Sequence, residues 1–139
     1  MPSVPSRLFH GTTIPYFVKR LRQYGEYRRH PPGRVQLSDE FEIAIGHSLR
    51  ICVQNNTGPS IVLVADSGRL GHRIDYVPGN ESDSAWIVDS LGLGSFGVVA
   101  ITGDFETDKK RLKALDDPGY ASEMQAAIRG LLEPRNTCD

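Results

Sequence analysis

The chain has 139 residues, of which 39% are hydrophobic and 24% are charged, a composition that favours one globular domain and excludes a disordered chain. The 16 basic and 17 acidic residues leave a net charge of −1, so no overall field draws the protein to nucleic acid or to an anionic membrane. No apolar run approaches the roughly 20 residues of a membrane span, the N-terminus lacks a signal-peptide core, and two cysteines are too few for a disulfide framework. We therefore expect a cytoplasmic protein with no membrane partner.

The N-terminal segment predicts a short strand that ends in a turn. Residues 1–6 are rich in proline and serine and are expected to be disordered. Residues 8–9 are predicted to form a buried strand that breaks into a tight turn at Gly11, with His10 on that turn. A histidine in this position is most often held by a hydrogen bond within its own turn. It also suits ligand recognition, because glycine leaves backbone N–H and C=O groups open to close approach.

A helix and a basic loop follow. Residues 14–24 have apolar side chains at helical spacing, a proline in the first turn and Gly25 as a stop signal, which predicts an amphipathic helix. The loop after this helix contains Arg28, Arg29 and Arg34. Charge alone favours a solvated loop. Because the planar guanidinium group also matches phosphate oxygens, a phosphate grip is the functional alternative.

The central part of the chain predicts a strand, a helix and a buried strand. Residues 34–38 alternate in the manner of a brief strand. Ser38 is a typical helix N-cap, followed by two acidic residues that suit the first turn, and we expect this helix to end near Cys52. Arg50 lies near the helix end, where it either complements the dipole or joins the basic loop. Residues 60–65 contain an unbroken apolar run that predicts a strand buried on both faces.

The remainder predicts short strands and a helical tail. Further strands are expected over residues 74–77, 85–88 and 98–103, and polar helices over residues 108–115 and 120–132. Strands and helices do not alternate in regular βαβ units. The chain is therefore predicted to be α+β.

Signatures of several common sites are incomplete. Gly92, Gly94 and Gly97 spell the GxGxxG of a dinucleotide-binding fold, but a predicted strand follows them where that fold needs a helix. We therefore reject that interpretation and predict a flexible loop before the strand. The histidines and cysteines lack metal-site spacing, and no nucleophile elbow is present, so we expect neither a bound metal nor serine or cysteine catalysis.

The order of these pieces resembles one enzyme superfamily. Leu-Phe-His-Gly-Thr at residues 8–12, a helix, a basic loop, and Val-Gln-Leu-Ser at residues 35–38 with Ala44 and Arg50 beyond it are similar to the ADP-ribosyltransferase superfamily. Within it the chain most resembles the NAD-dependent RNA 2'-phosphotransferases and, more distantly, the rifamycin-type ADP-ribosyltransferases. The resemblance spans residues 8–101, and its later pieces are residues 61–64 with Asp66, residues 75–76 and residues 85–87. It implies an ADP-ribosyltransferase-like split, antiparallel-rich sheet with short flanking helices.

This resemblance implies roles for individual residues. His10 is expected to hydrogen-bond the NAD ribose, Gly11 to approach the nicotinamide amide, and Thr12 to lie beside them. Gln36 stands where relatives have tyrosine or histidine, and it can hydrogen-bond but cannot stack. Ser38 matches the polar residue that follows. The implied contacts of NAD, the cosubstrate, are His10, Gly11, Thr12, Gln36, Ser38 and Trp86, and the implied catalytic residues are Arg50, Gln36 and Arg34.

The third motif of the superfamily carries a glutamate in many protein-modifying members, and Ala85 stands at that position here. The phosphotransferases also lack this glutamate, because the RNA 2'-phosphate is itself the nucleophile and needs electrostatic positioning. The resemblance therefore implies that Arg50, together with Arg28, Arg29 or Arg34, holds the phosphate. A different register would offer a carboxylate from Asp75, Glu81, Asp83 or Asp89.

The expected organisation is a disordered N-terminus over residues 1–6, an NAD-binding domain over residues 7–105, and a helical tail over residues 106–139 packed on that domain. The expected function is transfer of ADP-ribose from NAD to RNA or to another phosphate-bearing or small-molecule acceptor, with release of nicotinamide. Two alternatives remain open. One is a nucleotide-binding module with little or no catalysis, and the other is a toxin-like enzyme that modifies a protein.

Overall fold

The computed structural model describes residues 3–29, 33–55, 59–70, 74–78 and 85–115, together with positions 122, 126, 129 and 130. The strands in this part of the chain are β1 (Arg7–Thr13), β2 (Val35–Leu37), β3 (Ser60–Asp66), β4 (Asp75–Val77), β5 (Ala85–Val88) and β6 (Phe96–Ala100). The helices are α1 (Ile14–Tyr24), α2 (Phe41–Asn55) and α3 (Phe105–Ala114). The predicted α+β class is confirmed.

The strands form two small antiparallel sheets. In the first sheet β3 lies between β1 and β6, and in the second β5 lies between β2 and β4. An antiparallel bridge joins the two sheets, with the N–H of Phe9 donating to the C=O of Ser38 at 2.7 Å and the N–H of Ser38 donating to the C=O of Phe9 at 2.8 Å. The sheets therefore meet along the edge of β1.

Strand β3 is buried on both faces, as predicted. Because side chains alternate along a strand, Ile61 and Leu63 enter one hydrophobic cluster, whereas Val62 and Val64 enter another. The first cluster lies between the first sheet, the second sheet and α1. The second lies between the first sheet and α2. The first sheet is thus the central layer of the described structure.

The predicted turn at Gly11 is wrong, since this glycine lies within β1. Strand β1 stays extended because it pairs with β3 along its whole length, with Gly11 opposite Val62. The reason for glycine here is the close crossing of α2. A Cβ at this position would lie 2.1 Å from the carbonyl oxygen of Ala44 and 2.8 Å from the backbone nitrogen of Ser48.

Other boundaries also differ from the prediction, and α2 ends at Asn55 instead of near Cys52. Helix α2 begins at Phe41, because Ser38 is still paired with β1 and its Oγ accepts a 3.0 Å hydrogen bond from the N–H of Glu40. Strand β6 begins at Phe96, so Gly97 is part of the strand instead of the loop before it. Helix α1 ends as predicted, with Gly25 in the left-handed conformation at a φ of 74°.

Helix α3 begins three residues earlier than the helix predicted over residues 108–115. Asp104 caps this helix, because its carboxylate accepts a hydrogen bond from the N–H of Thr107. The helix predicted over residues 120–132 lies mostly outside the described residues. None of the described helices is long and apolar enough to cross a membrane.

Candidate functional site

The imidazole of His10 lies at the junction of the two sheets, with both ring nitrogens engaged by the protein. Its Nδ1 lies 2.7 Å from the carbonyl oxygen of Gln36, and its Nε2 lies 2.9 Å from the hydroxyl of Tyr27. A carbonyl oxygen only accepts, so Nδ1 must carry the proton. In the neutral ring Nε2 is then an acceptor, and the Tyr27 hydroxyl donates to it.

Tyr27 is built firmly into the core. Its side chain is only 1% exposed, and its ring lies 5.8 Å from that of Phe17 and 6.3 Å from that of Tyr16, measured between centroids. Its backbone exchanges two hydrogen bonds with Leu91, of 3.0 and 2.8 Å. The side chain of Thr12 lowers the pKa of Tyr27, the direction expected for a hydrogen bond between Thr12 and the Tyr27 oxygen. Because Tyr27 gives its own proton to His10, Thr12 is the donor in that bond.

These bonds form one directed chain, from Thr12 to Tyr27, from Tyr27 to His10, and from His10 to the carbonyl of Gln36. Burial lowers the pKa of His10 from 6.5 to about 4, although the bond to Gln36 opposes this shift. The neighbouring charges of His47 and Arg29 lower that pKa further. Burial raises the pKa of Tyr27. His10 is therefore a neutral imidazole at physiological pH.

The backbone pairing of β1 with β2 stops beside the buried Gly11, and this break in the ladder between Gly11 and Gln36 is called the gap. The N–H and C=O of Phe9 point away from β3 and toward Ser38. Because the direction of these backbone groups alternates along a strand, the N–H and C=O of Gly11, two residues later, point to the same side. An uninterrupted ladder would pair Gly11 with Gln36. Instead the carbonyl of Gln36 accepts the hydrogen bond from the ring of His10.

Three exposed basic side chains, Arg29, His47 and Arg50, form a group called here the cationic rim after its two arginines. Beyond the effect of burial, His47 and Arg29 lower the pKa of His10, and Arg50 and Arg29 lower that of His47. His47 and Arg50 lie one turn apart on α2, the helix that crosses β1 at Gly11. Desolvation, and then the charges of Arg50 and Arg29, lower the pKa of His47. Among the described residues, the charges that shift the pKa of His10 are therefore cationic.

The predicted phosphate-binding arginines have separate surroundings. Arg34 binds two carboxylates, with Nη1 at 2.9 Å from Asp75 and Nε at 2.7 Å from Asp89, and these bonds raise its pKa. Arg28 lies 3.8 Å from Glu26 and stacks over the ring of Tyr24. Arg29 is thus the loop arginine whose charge reaches His10.

Of the predicted contacts from the second sheet, Gln36 bonds His10, whereas Ser38 and Trp86 contact other residues. Gln36 contributes its main-chain carbonyl, whereas its side chain is exposed between the inward-facing residues of β2. Ser38 lies at the bridge between the sheets. Trp86 is 2% exposed and packs against Tyr76 at 4.6 Å, and its indole N–H is buried with no hydrogen-bond partner in the described structure.

The position of the third motif brings no acidic side chain from β5. Ala85 begins β5, opposite Val77. Of the four alternative carboxylates, Asp75 and Asp89 bind Arg34, and Glu81 and Asp83 lie outside the described residues. The described part of the chain holds no cluster of three potential metal ligands.

Sequence reasoning did not single out Tyr27 or His47. Tyr27 carries no local signal, because its contact with His10 spans 17 residues. His47 does carry a local signal, because it precedes Arg50 by a single helical turn and shares its exposed face.

A separate cavity of about 300 Å³ lies toward the opposite end of β1, where its lining includes Arg7, Asp66, Arg69 and Ser95. None of the residues predicted to bind NAD lines it. This cavity is therefore distinct from the gap beside Gly11.

Compared with known proteins, the chain matches no family model, no curated protein and no solved structure. The chemistry of the His10 site is therefore the basis for a function.

Proposed function

We propose that the protein binds NAD in the gap between β1 and β2 and transfers ADP-ribose to a phosphate-bearing or small-molecule acceptor, releasing nicotinamide. The observation that carries this proposal is the main-chain edge of Gly11, which faces that gap beside a buried, neutral His10. A carboxamide has both a donor and an acceptor, so it complements the N–H and C=O of one strand residue. The resemblance to ADP-ribosyltransferases implies this same contact for nicotinamide.

The cationic rim supports the phosphate part of the proposal. The guanidinium groups of Arg29 and Arg50 suit the pyrophosphate of NAD or the phosphate of an acceptor, because both present oxygens that accept paired N–H bonds. A neutral His10 suits the other end of the cosubstrate. A protonated imidazole would repel both the cationic nicotinamide ring and the oxocarbenium-like ribose that forms as nicotinamide leaves.

The proposed step is a substitution at the anomeric carbon of the nicotinamide ribose. An oxygen of the acceptor phosphate forms a bond to this carbon, and the bond from carbon to the nicotinamide nitrogen breaks. The electron pair of that bond leaves with nicotinamide, which becomes neutral. Orientation of the two reactants and stabilisation of charge supply most of the rate enhancement.

An acceptor that is already anionic is favoured, and we infer an RNA 2'-phosphate as the first to test. No described carboxylate shifts the pKa of His10, so a hydroxyl acceptor would lack an evident base among these residues. The binding module without catalysis is the second candidate, favoured by Gln36 and Ala85 at positions where many relatives carry an aromatic ring and a glutamate.

The experiment is to incubate the protein with NAD and a 2'-phosphorylated oligoribonucleotide and to quantify nicotinamide by chromatography. Arg50→Ala and Arg29→Ala should each lower the rate roughly tenfold, the effect of losing one charge-assisted hydrogen bond. Arg69→Ala is the matched control, because Arg69 is 73% exposed and lies toward the other end of β1.

The outcomes separate the candidates. NAD binding in calorimetry without nicotinamide release would support the binding module, and slow NAD hydrolysis would count against it. Transfer of labelled ADP-ribose to protein, but not to the oligoribonucleotide, would identify a toxin-like modifier. Neither binding nor release would contradict the proposed function.

A further inference from the structure

We propose that Tyr27 is a positioning residue of the NAD site, whose hydroxyl fixes His10 as a neutral ring in one orientation and so keeps the gap beside Gly11 open. The role toward NAD rests on the proposed function. The hydrogen-bond chain itself belongs to the ligand-free protein and can be tested without NAD.

The chain from Thr12 to Gln36 has one direction. It ends at a carbonyl oxygen, which only accepts, so each earlier hydrogen must point the same way. Protonation of His10 at Nε2 would force the Tyr27 hydroxyl to reverse toward Thr12. The hydroxyl of Thr12 would then lose its acceptor, and at 2% exposure it has little access to bulk water.

The hydrogen bond between Tyr27 and His10 is expected to persist when a ligand binds. Its ring is fixed by Tyr16 and Phe17, and its backbone is fixed by the double bridge to Leu91. It would take a rearrangement of the core to move its oxygen away from Nε2. His10 therefore meets a ligand as an uncharged ring surface, while its two nitrogens remain engaged with the protein.

The orientation of His10 determines which group the carbonyl of Gln36 binds. The carbonyl of Gln36 accepts a hydrogen bond from the ring N–H of His10. In an uninterrupted antiparallel ladder, the same carbonyl would accept one from the backbone N–H of Gly11. If His10 turned away, that carbonyl would be free to pair with the N–H of Gly11. The edge that we propose for the nicotinamide amide would then be closed.

The polar and charged groups that act on His10 or on its partner Tyr27 come from several elements. Tyr27 and Arg29 come from the loop after α1, Thr12 from β1 itself, His47 from α2, and the carbonyl of Gln36 from β2. The two cationic neighbours and burial all oppose protonation of the ring. The direction of the hydrogen-bond chain adds to them.

The test compares Tyr27→Phe and Thr12→Val with Tyr16→Phe, a matched control that removes a neighbouring tyrosine hydroxyl outside the chain. The ring nitrogens of His10 are followed by NMR during a pH titration of the ligand-free protein. We expect the pKa of His10 to rise in Tyr27→Phe, because the neutral ring loses its hydrogen bond, to rise less in Thr12→Val, and to stay unchanged in the control. An unchanged or lower pKa in Tyr27→Phe would overturn the proposal, since a reversible tyrosine would have stabilised the charged ring.

A second measurement addresses the role toward NAD. The dissociation constant of NAD should rise roughly tenfold in Tyr27→Phe, the effect of one lost hydrogen bond, and stay unchanged in Tyr16→Phe. Tighter binding in Tyr27→Phe would show that Tyr27 obstructs the ligand and would overturn the proposal. If the wild type binds no NAD, the proposed function fails, whereas the NMR titration still decides the hydrogen-bond chain. If circular dichroism shows that Tyr27→Phe does not fold, the NMR titration of Thr12→Val carries the test, and an unchanged or lower pKa of His10 in that variant would overturn the proposal.

Discussion

The ring of His10 donates a 2.7 Å hydrogen bond from Nδ1 to the main-chain carbonyl of Gln36, and this bond lies where the two sheets separate. Immediately before it along β1, Phe9 and Ser38 pair as in any antiparallel ladder. A side chain thus takes the acceptor that the next backbone pair would have used. The consequence is an edge of β1 that faces a gap instead of a strand.

Folding stability should depend on pH through His10. Its pKa is about 4 in the folded protein and 6.5 in the unfolded chain, so between these values the unfolded chain binds more protons. The stabilisation from a neutral His10 is complete above about pH 6.5 and is lost as the pH falls through 4. The loss amounts to about 3 kcal/mol.

Urea denaturation of the wild type and of His10→Gln at pH 7 and at about pH 4.5 measures this effect. The difference in unfolding free energy between the two proteins should shrink as the pH falls, because glutamine does not titrate. A difference that is the same at both pH values would contradict the buried, neutral state of His10.

Gly11→Ala should destabilise the fold without informing on ligand binding. The new Cβ would meet the backbone of α2 at 2.1 Å, so the helix would have to shift, at a cost of about 2 kcal/mol or more. Gly46→Ala, in α2 itself, is the control, because a Cβ there meets nothing within 4 Å. Thermal or chemical denaturation should show the control unchanged or more stable by up to about 1 kcal/mol. Equal stability of the two variants would refute the close helix crossing.

Arg34→Gln should leave NAD-dependent activity unchanged, in contrast to Arg50→Ala. Arg34 links Asp75 of β4 with Asp89 just after β5, and its side chain is 38% exposed, so its effect is confined to the second sheet and is screened by salt. The melting temperatures of Arg34→Gln and the wild type should differ slightly at low salt and converge at high salt. A loss of nicotinamide release in Arg34→Gln, with the fold intact, would restore Arg34 as a phosphate ligand.

Asp108→Ala should be among the most damaging substitutions in the tail. This carboxylate is fully buried and accepts hydrogen bonds from the N–H and hydroxyl of Thr102, both at 2.8 Å, and from the N–H of Gly103 at 3.2 Å. Its removal deprives three donors on Thr102 and Gly103 of a charged acceptor, which costs about 2 kcal/mol in unfolding free energy. Glu106→Ala, exposed on the same helix, should change that quantity by less than about 0.5 kcal/mol. Similar values for the two variants would count against the role of Asp108.

Local patterns were sufficient where the structure is local. The helix that ends at Gly25, the apolar run of β3 and the strand over residues 85–88 were all predictable, since spacing along the chain reports directly on burial within one element. The α+β class followed from the order of these elements. The ADP-ribosyltransferase fold, NAD and the transferase activity stay predictions.

The tertiary structure decided what depends on distant parts of the chain. Pairing with β3 turned a predicted turn at Gly11 into a strand, and the crossing of α2 explains why glycine stands there. Tyr27 and the carbonyl of Gln36 reach His10 across 17 and 26 residues, and no local pattern reports such contacts. The sequence therefore predicted His10 as a candidate site residue. Only the packing of β1, β2 and the loop after α1 determined that its ring is buried, neutral and held at both nitrogens, because desolvation and hydrogen-bond partners arise only when these segments come together.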